Sequence, residues 1–259
     1  MFKVTGKPVR IAVLTNRSTR GVAIIEALTE AGIRIDALII DSDRFAVRAQ
    51  ARKAARLVAK RGISETLYRT RKGVKRAVAA IRRSERELDF YRRFSLVVVE
   101  VPNANGPESE RLLKSLAPDV LVLGGSRILK PHILSIPRIG VLNPHPGLLP
   151  AYRGVDVIPW AVYNGDPLGV TVHFVDPGID TGDIVAQRQF EVQPGDSLGS
   201  LRRKADALLG QIMAEVVSQL TRGELTRTPQ DRGAGRLYSL MPPDLKAQVK
   251  AKLQAMDRA

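Results

Sequence analysis

Val120-Leu121-Val122-Leu123 is four apolar residues without a polar interruption, and Gly140-Val141-Leu142-Asn143 repeats that character twenty positions on. A strand with one wet face alternates apolar and polar residues, whereas a strand covered on both faces stays apolar throughout. Working outward, Arg10-Ile11-Ala12-Val13-Leu14, Asp36-Ala37-Leu38-Ile39-Ile40 and Leu96-Val97-Val98-Val99 have the same character. Val22 to Ala31 places helix-forming residues between the first two of these. Buried strands alternating with helical segments predict an α/β fold with a doubly wound, mostly parallel, Rossmann-like sheet.

Further along, Gly169 to Val175 and Asp183 to Phe190 read as two more strands. Asp196 or Ser197 then caps a long helix whose core face carries Leu198, Leu201, Ala205, Leu208, Ile212 and Val216, with Gly223 suited to its end. The tail, 224–259, is polar, with one helix expected from Pro243 onward. Residues 44–93 break the strand–helix rhythm. They read as a basic helical insert of two helices, with Gly62 and Gly73 as breaks, and Arg44, Arg48, Arg52, Arg56 and Lys60 recur every four residues along one face. This insert holds 17 Lys and Arg against four Asp and Glu, so nearly all of the formal charge of +15 sits in it. The expected organisation is a main domain over 8–223, carrying the insert 44–93, and a short C-terminal tail over 224–259.

A chain of 259 residues with 44% hydrophobic and 26% charged residues is long enough to bury a sizeable core unaided. It has no cysteine, which excludes disulfides, thiol nucleophiles and Cys-ligated zinc. With only His132, His145 and His173 available, no metal site is expected. The N-terminus lacks a signal-peptide pattern, and no apolar run approaches the roughly 20 residues of a membrane helix. The expectation is a soluble, cytoplasmic protein with no membrane partner.

The chemistry-bearing stretch starts at Asn143-Pro144-His145-Pro146-Gly147-Leu148-Leu149-Pro150-Ala151-Tyr152-Arg153-Gly154. Downstream come Thr171-Val172-His173 and Ile179-Asp180-Thr181-Gly182. Asn143 and His145 lie at the carboxyl end of an expected strand, on alternate positions, so their side chains share a face. Open α/β sheets bind ligands outside that end. An amide beside an imidazole suits the stabilisation of an oxyanion while a proton moves, and a carboxylate such as Asp180 could orient the imidazole. Taken singly, each residue reads equally well as turn chemistry or a structural hydrogen bond.

Together, the order Asn-x-His, Leu-Leu-Pro, Arg-Gly, Thr-Val-His and Ile-Asp-x-Gly resembles the catalytic signature of the folate-dependent formyltransferase family. That family includes glycinamide ribonucleotide transformylase, methionyl-tRNA formyltransferase and amino-sugar N-formyltransferases. The resemblance is dense over Ser126 to Gln187 and looser from Val9 to Arg222. It implies formyl transfer from 10-formyltetrahydrofolate to an amine, without a metal. Asn143 would bind the formyl oxygen, protonated His145 would stabilise the same charge and relay protons, and Asp180 would support His145 and take part in proton transfer. His173 would lie close by, in a structural or a chemical role. Arg127-Ile128-Leu129 and the Asp176-to-Asp180 loop, with Asp176 and Ile179, would enclose the pterin largely through backbone groups.

Departures from the family narrow the acceptor. Thr15-Asn16-Arg17-Ser18-Thr19-Arg20-Gly21 holds one glycine where glycinamide ribonucleotide transformylase has a glycine-rich phosphate loop. Arg17 or Arg20 at a helix N-terminus would have to meet a phosphate instead. The tail is too short for the barrel domain of the initiator-tRNA enzyme, and the insert lacks the aromatic residues that stack on bases. The implied acceptor is a small anionic amine such as a nucleotide-linked amino sugar, drawn in by the basic stripe. The alternatives are 10-formyltetrahydrofolate hydrolysis and formylation of methionyl-tRNA. Nucleic acid is a less favoured partner, and self-association stays open. Gly235-Arg236-Leu237-Tyr238-Ser239 either covers the edge of the active site or serves packing.

Overall fold

The computed structural model describes residues 8–42, 91, 97–231 and 233–256. Apart from Tyr91, the insert, its arginine stripe and its expected helices lie outside the described residues. Five strands, β1 (Ile11–Thr15), β2 (Ala37–Asp41), β3 (Val98–Val101), β4 (Val120–Leu123) and β5 (Gly140–His145), pair in parallel in the order β3-β2-β1-β4-β5. Two more, β7 (Leu168–Phe174) and β8 (Ile184–Phe190), extend the sheet antiparallel beyond β5. The mostly parallel sheet read from the sequence is present. The strand order reverses between β1 and β4, which opens a crevice between the loops that follow them.

Alternation along the strands sorts the core into two layers. Ile11, Val13, Leu38, Ile40, Val120, Val122 and Leu142 face one side, and Ala12, Leu14, Ile39, Leu121, Leu123 and Val141 face the other. The first layer is covered by α1 (Thr19–Glu30) and α5 (Leu198–Thr221), the second by α2 (Pro107–Leu116) and the single turn α3 (Pro131–Leu134). Each such fully buried aliphatic side chain contributes roughly 1.5–3 kcal/mol from leaving water. Ser197 starts α5 with a capping box to Ser200, and the helix packs so closely on α1 that a Cβ on Gly210 would lie 2.6 Å from the Ala23 carbonyl oxygen.

Most strand limits shift by one or two residues from the sequence reading, and two of the shifts have a physical reason. The third strand was expected at 96–99 but runs over Val98–Val101, with Leu38 opposite Val98. It is the edge strand, so Glu100 can continue it in contact with water. β5 also extends past Asn143, although Pro144 lies within it. β4 pairs only as far as Leu142, so the missing N–H of Pro144 breaks no ladder on that side, and its carbonyl accepts Arg20 Nη1 at 3.2 Å.

The remaining elements are β6 (Tyr152–Gly154), α4 (Val157–Asn164), β9 (Arg236–Tyr238) and α6 (Pro243–Met256). β6 and β9 form a separate two-stranded parallel sheet. Met241, Val249 and Leu253, all from the tail, are buried in the same layer as α1 and α5. Among the described residues, no helix is long and apolar enough to cross a membrane.

Candidate active site

The register of β5 on β7 sets Asn143 opposite His173 and His145 opposite Thr171. The two-residue period of a strand then puts these four on the face that carries Val141. His173 Nδ1 lies 2.8 Å from the Phe174 carbonyl, which can only accept, so Nδ1 carries a hydrogen. In the neutral ring Nε2 is therefore the acceptor for the Asn143 amide, 3.0 Å away. By the same logic His145 donates Nε2–H to the Tyr152 carbonyl at 2.7 Å. Its Nδ1 is turned to Asp180 Oδ2 at 3.4 Å.

Asp180 reaches this pair from the loop after β7. Its φ of 54° is left-handed, a conformation that aspartate tolerates better than most residues. Two residues on, a Cβ on Gly182 would lie 1.9 Å from the Phe174 carbonyl oxygen, so only glycine lets the loop fold back here. The carboxylate accepts the Gly154 N–H at 2.8 Å and lies 3.5 Å from both Asn143 Nδ2 and His173 Nε2. β6 thus holds both members of the dyad through its backbone: the Tyr152 carbonyl takes His145 and the Gly154 amide takes Asp180.

Burial pushes the His145 imidazole down to about 4, against the upward pull of Asp180. Burial also works against ionised Asp180, but His173, His145 and the Gly154 N–H outweigh it and hold the carboxyl at about 2. At neutral pH the resting pair is a neutral imidazole beside a carboxylate. The sequence reading expected an imidazolium, because the depth of burial is not visible in a motif.

Residues around the dyad hold it in place. Thr171 Oγ1 donates to the Gly147 carbonyl at 2.7 Å and accepts Leu149 N–H at 3.2 Å, while Gln187 Nε2 donates to the Leu149 carbonyl at 2.7 Å. A Cβ on Gly147 would sit 2.9 Å from His145 Nε2. The Tyr152 phenol donates to Asp166, accepts Asn164 Nδ2 at 2.8 Å and stacks on Tyr238 with centroids 4.9 Å apart. Burial, then the bond to Asp166, raises that phenol's pKa.

The other expected residues are placed as follows. Arg127 makes a two-pronged ion pair with Asp41, at 2.5 and 3.0 Å. Ile128 is 78% exposed and Ile179 45% exposed, whereas Leu129 is buried in the second core layer. Asp176 accepts from the Gly178 N–H and the Thr181 hydroxyl, bracing the loop that carries Asp180. Arg17 pairs with Glu100, and Arg20 with Asp206 at 3.0 Å, so neither is held in reserve for a phosphate. Arg153 was quoted within the motif but given no role; its buried Nε has no hydrogen-bond partner.

A cavity of about 410 Å³ opens at the strand-order reversal, with Pro146 in its lining but none of Asn143, His145 and Asp180. Asn16, Ser18, Arg20, Ser126, Arg202 and Asp206 line it. It combines a helix N-terminus with two arginines whose charges are balanced by Asp206 and Asp156. Among the described residues, no cluster of three or more acidic or imidazole groups could hold a metal.

A doubly wound sheet that gathers an amide, an imidazole and a carboxylate outside its carboxyl edge defines the class of open α/β folds with a candidate site at the strand ends. Within that class, residues 9–217 match the family described as formyl transferase, so the chain belongs to that family. The methionyl-tRNA formyltransferase of Ruminiclostridium cellulolyticum is 32% identical over 145 residues, which are 55% of this chain and 46% of that protein. The aligned part thus spans less than half of that relative. Among solved structures, glycinamide ribonucleotide transformylase 1 from Symbiobacterium toebii superposes with a TM-score of 0.61 at 24% identity, covering 89% of this chain and 98% of that one. The formyltransferase PseJ from Anoxybacillus kamchatkensis, in complex with UDP-4,6-dideoxy-4-formamido-L-AltNAc and tetrahydrofolate, gives a TM-score of 0.51 at 23% identity over 65% of this chain and 92% of that one. At these identities the structural likeness speaks for the fold.

Proposed function

We propose that this chain transfers the formyl group of 10-formyltetrahydrofolate to the amine of a small anionic acceptor, such as a nucleotide-linked amino sugar, using Asn143, His145 and Asp180. The observation that carries this reading is the convergence of those three side chains from separate segments into one cluster at the carboxyl end of the sheet. Family membership supplies the class of reaction. The cavity's helix N-terminus suits an anionic group on the acceptor, its two arginines being offset by Asp206 and Asp156.

The residues present are compatible with a folate. Ile128 and Ile179 offer exposed apolar surface on the loops after β4 and β7, where a flat ring could rest. The co-substrate supplies the formyl group. Asn143, like Asp180, is half-buried, and its second amide hydrogen meets Asp180 only at 3.5 Å, so it can turn to an oxygen on which charge develops. Neutral His145, with its Nδ1 unprotonated, would take the proton that the attacking amine loses as it bonds the formyl carbon, and would return it to the folate nitrogen released when the old C–N bond breaks. The imidazolium so formed lies against Asp180 and is stabilised there, which reconciles a neutral resting state with a charged working one.

Assaying tetrahydrofolate release with and without a pool of amines rich in nucleotide amino sugars tests this. Release that requires the pool and collapses in Asn143→Ala and Asp180→Asn is the expected result. Release undiminished without any amine would identify a hydrolase, and undiminished release by both variants would remove the assigned roles. A second reading, formylation of methionyl-tRNA, is favoured by the sequence relatives; including charged initiator tRNA as an acceptor separates the two.

A further inference from the structure

The family match ends at residue 217, yet residues beyond it reach the loop that carries Asp180. Thr228 pairs with Ile184 in an isolated antiparallel bridge, with both hydrogen bonds at 2.8 Å. Two positions on, Gln230 Nε2 donates to two carbonyls of that loop, Asp180 O at 3.2 Å and Gly182 O at 2.5 Å. Two acceptors fix the orientation of the amide, because turning it over would set oxygen against oxygen. Its Oε1 is left buried with no hydrogen-bond partner, an unfavourable state that only a compensating contact would maintain.

The position of the contact matters. The clamped carbonyls belong to Asp180 itself, in its left-handed conformation, and to Gly182, whose close approach to Phe174 turns the chain back. Everything that faces the Asp180 carboxylate comes from other segments: His145 and Asn143 from β5, His173 from β7 and the Gly154 N–H from β6. Those contacts set where the carboxylate wants to be, and Gln230 holds the backbone that delivers it.

We propose that Gln230 is a positioning residue for Asp180, so that residues C-terminal to the family match complete the active site. This inference rests on the functional reading above for its consequence in turnover, but not for its geometry. With the clamp removed, the loop can withdraw, and the Asp180 charge moves away from His145 and from the Gly154 N–H. His145 then loses the influence that keeps its proton affinity from falling further.

The test compares the full chain with Gln230→Leu, similar in size but without donors, and with Gln230→Glu, which sets a carboxylate against the two carbonyls. The first readout needs no turnover: the ring-proton NMR signals of His145, one of three histidines, are followed against pH. A midpoint displaced downward by half a pH unit or more in Gln230→Leu, with a thermal midpoint near that of the parent, supports the proposal; Gln230→Glu, whose added carboxylate itself pulls the imidazole upward, is read by turnover alone. An unmoved His145 titration overturns it, whether or not the chain is active. The second readout is tetrahydrofolate release: the expected pattern is a kcat lowered roughly 10- to 100-fold with KM for the formyl donor within about twofold. Parental kcat in both variants overturns the proposal. So does a kcat loss matched by a large drop in thermal midpoint with an unmoved titration, which would make Gln230 an ordinary packing residue. Absence of turnover in the parent itself would count against the functional reading, while the NMR titration would still decide the proposal.

Discussion

His145 is where burial and charge pull hardest against each other. Its imidazole, ordinarily titrating at 6.5, is pushed down to about 4, so as the pH falls the unfolded chain takes up that proton first. Stability is fully present above about 6.5 and is lost progressively down to about 4, by on the order of 3 kcal/mol. Asp180 continues the trend with the same sign: held at about 2 against an ordinary 3.8, it adds stability above 3.8 that disappears as the pH drops towards 2. Urea unfolding midpoints measured from pH 7 to pH 4 should fall steeply in the parent and distinctly less in His145→Gln; equal slopes would contradict the assignment. Asn143 lives on the chemical side. On the proposed reading, replacing it by alanine removes one donor from the developing oxyanion and should lower kcat by roughly 10²–10³ with folding intact, read by tetrahydrofolate release and a thermal melt.

At the scale of elements, α5 decides how the first core layer closes. Ser197 accepts the Ser200 N–H at 3.1 Å and its own N–H is taken by Ser200 Oγ at 2.8 Å. Ser197→Ala should cost about 1 kcal/mol in chemical denaturation, without affecting turnover. Gly210 lets the α5 backbone touch α1, so Gly210→Ala forces the helices apart and should cost roughly 1–3 kcal/mol. A stability change below about 0.5 kcal/mol in Gly210→Ala would mean that the two helices can separate freely. β6 acts differently: only three residues long, it stabilises little by itself, but both of its backbone contacts to the dyad depend on where β9 holds it. A Cβ on Gly154 would lie 2.2 Å from the Tyr238 carbonyl oxygen, so that docking is close.

Across the whole molecule, the tail joins the main core. Leu253 is 3% exposed and belongs to the same apolar layer as Leu28 of α1 and Leu209 of α5. Lys252 Nζ donates to the Val162 carbonyl at 2.8 Å, tying α6 to α4. Leu253→Ala should therefore destabilise the entire domain by about 2–5 kcal/mol, in one cooperative unfolding step. An independent low-temperature transition in that variant would instead show the tail to be a separate unit. The same integration explains why turnover should respond to residues as far from the motif as Gln230.

The fold was legible because a two-sided sheet demands uninterrupted apolar strands, and β1, β2, β4 and β5 meet that demand in plain sequence. Ser197 and Gly223 marked the ends of α5 through local capping chemistry, and Asn143 and His145 shared a face through strand periodicity alone. Strand direction beyond β5 was not legible, since apolar runs look alike in either direction once both faces are covered. The pairing of β6 with β9 was equally silent, because two three-residue strands carry no periodic signal. Sequence by itself determined the layers, the long helix and the chemical identity of the candidate trio. Tertiary structure alone decided that Asp180 meets His145, that burial keeps this imidazole neutral at rest, that Arg127 is spoken for by Asp41, and that the backbone of β6 and the amide of Gln230 hold the dyad. These are contacts between distant segments, often through backbone atoms that every residue shares, so no residue type announces them in advance.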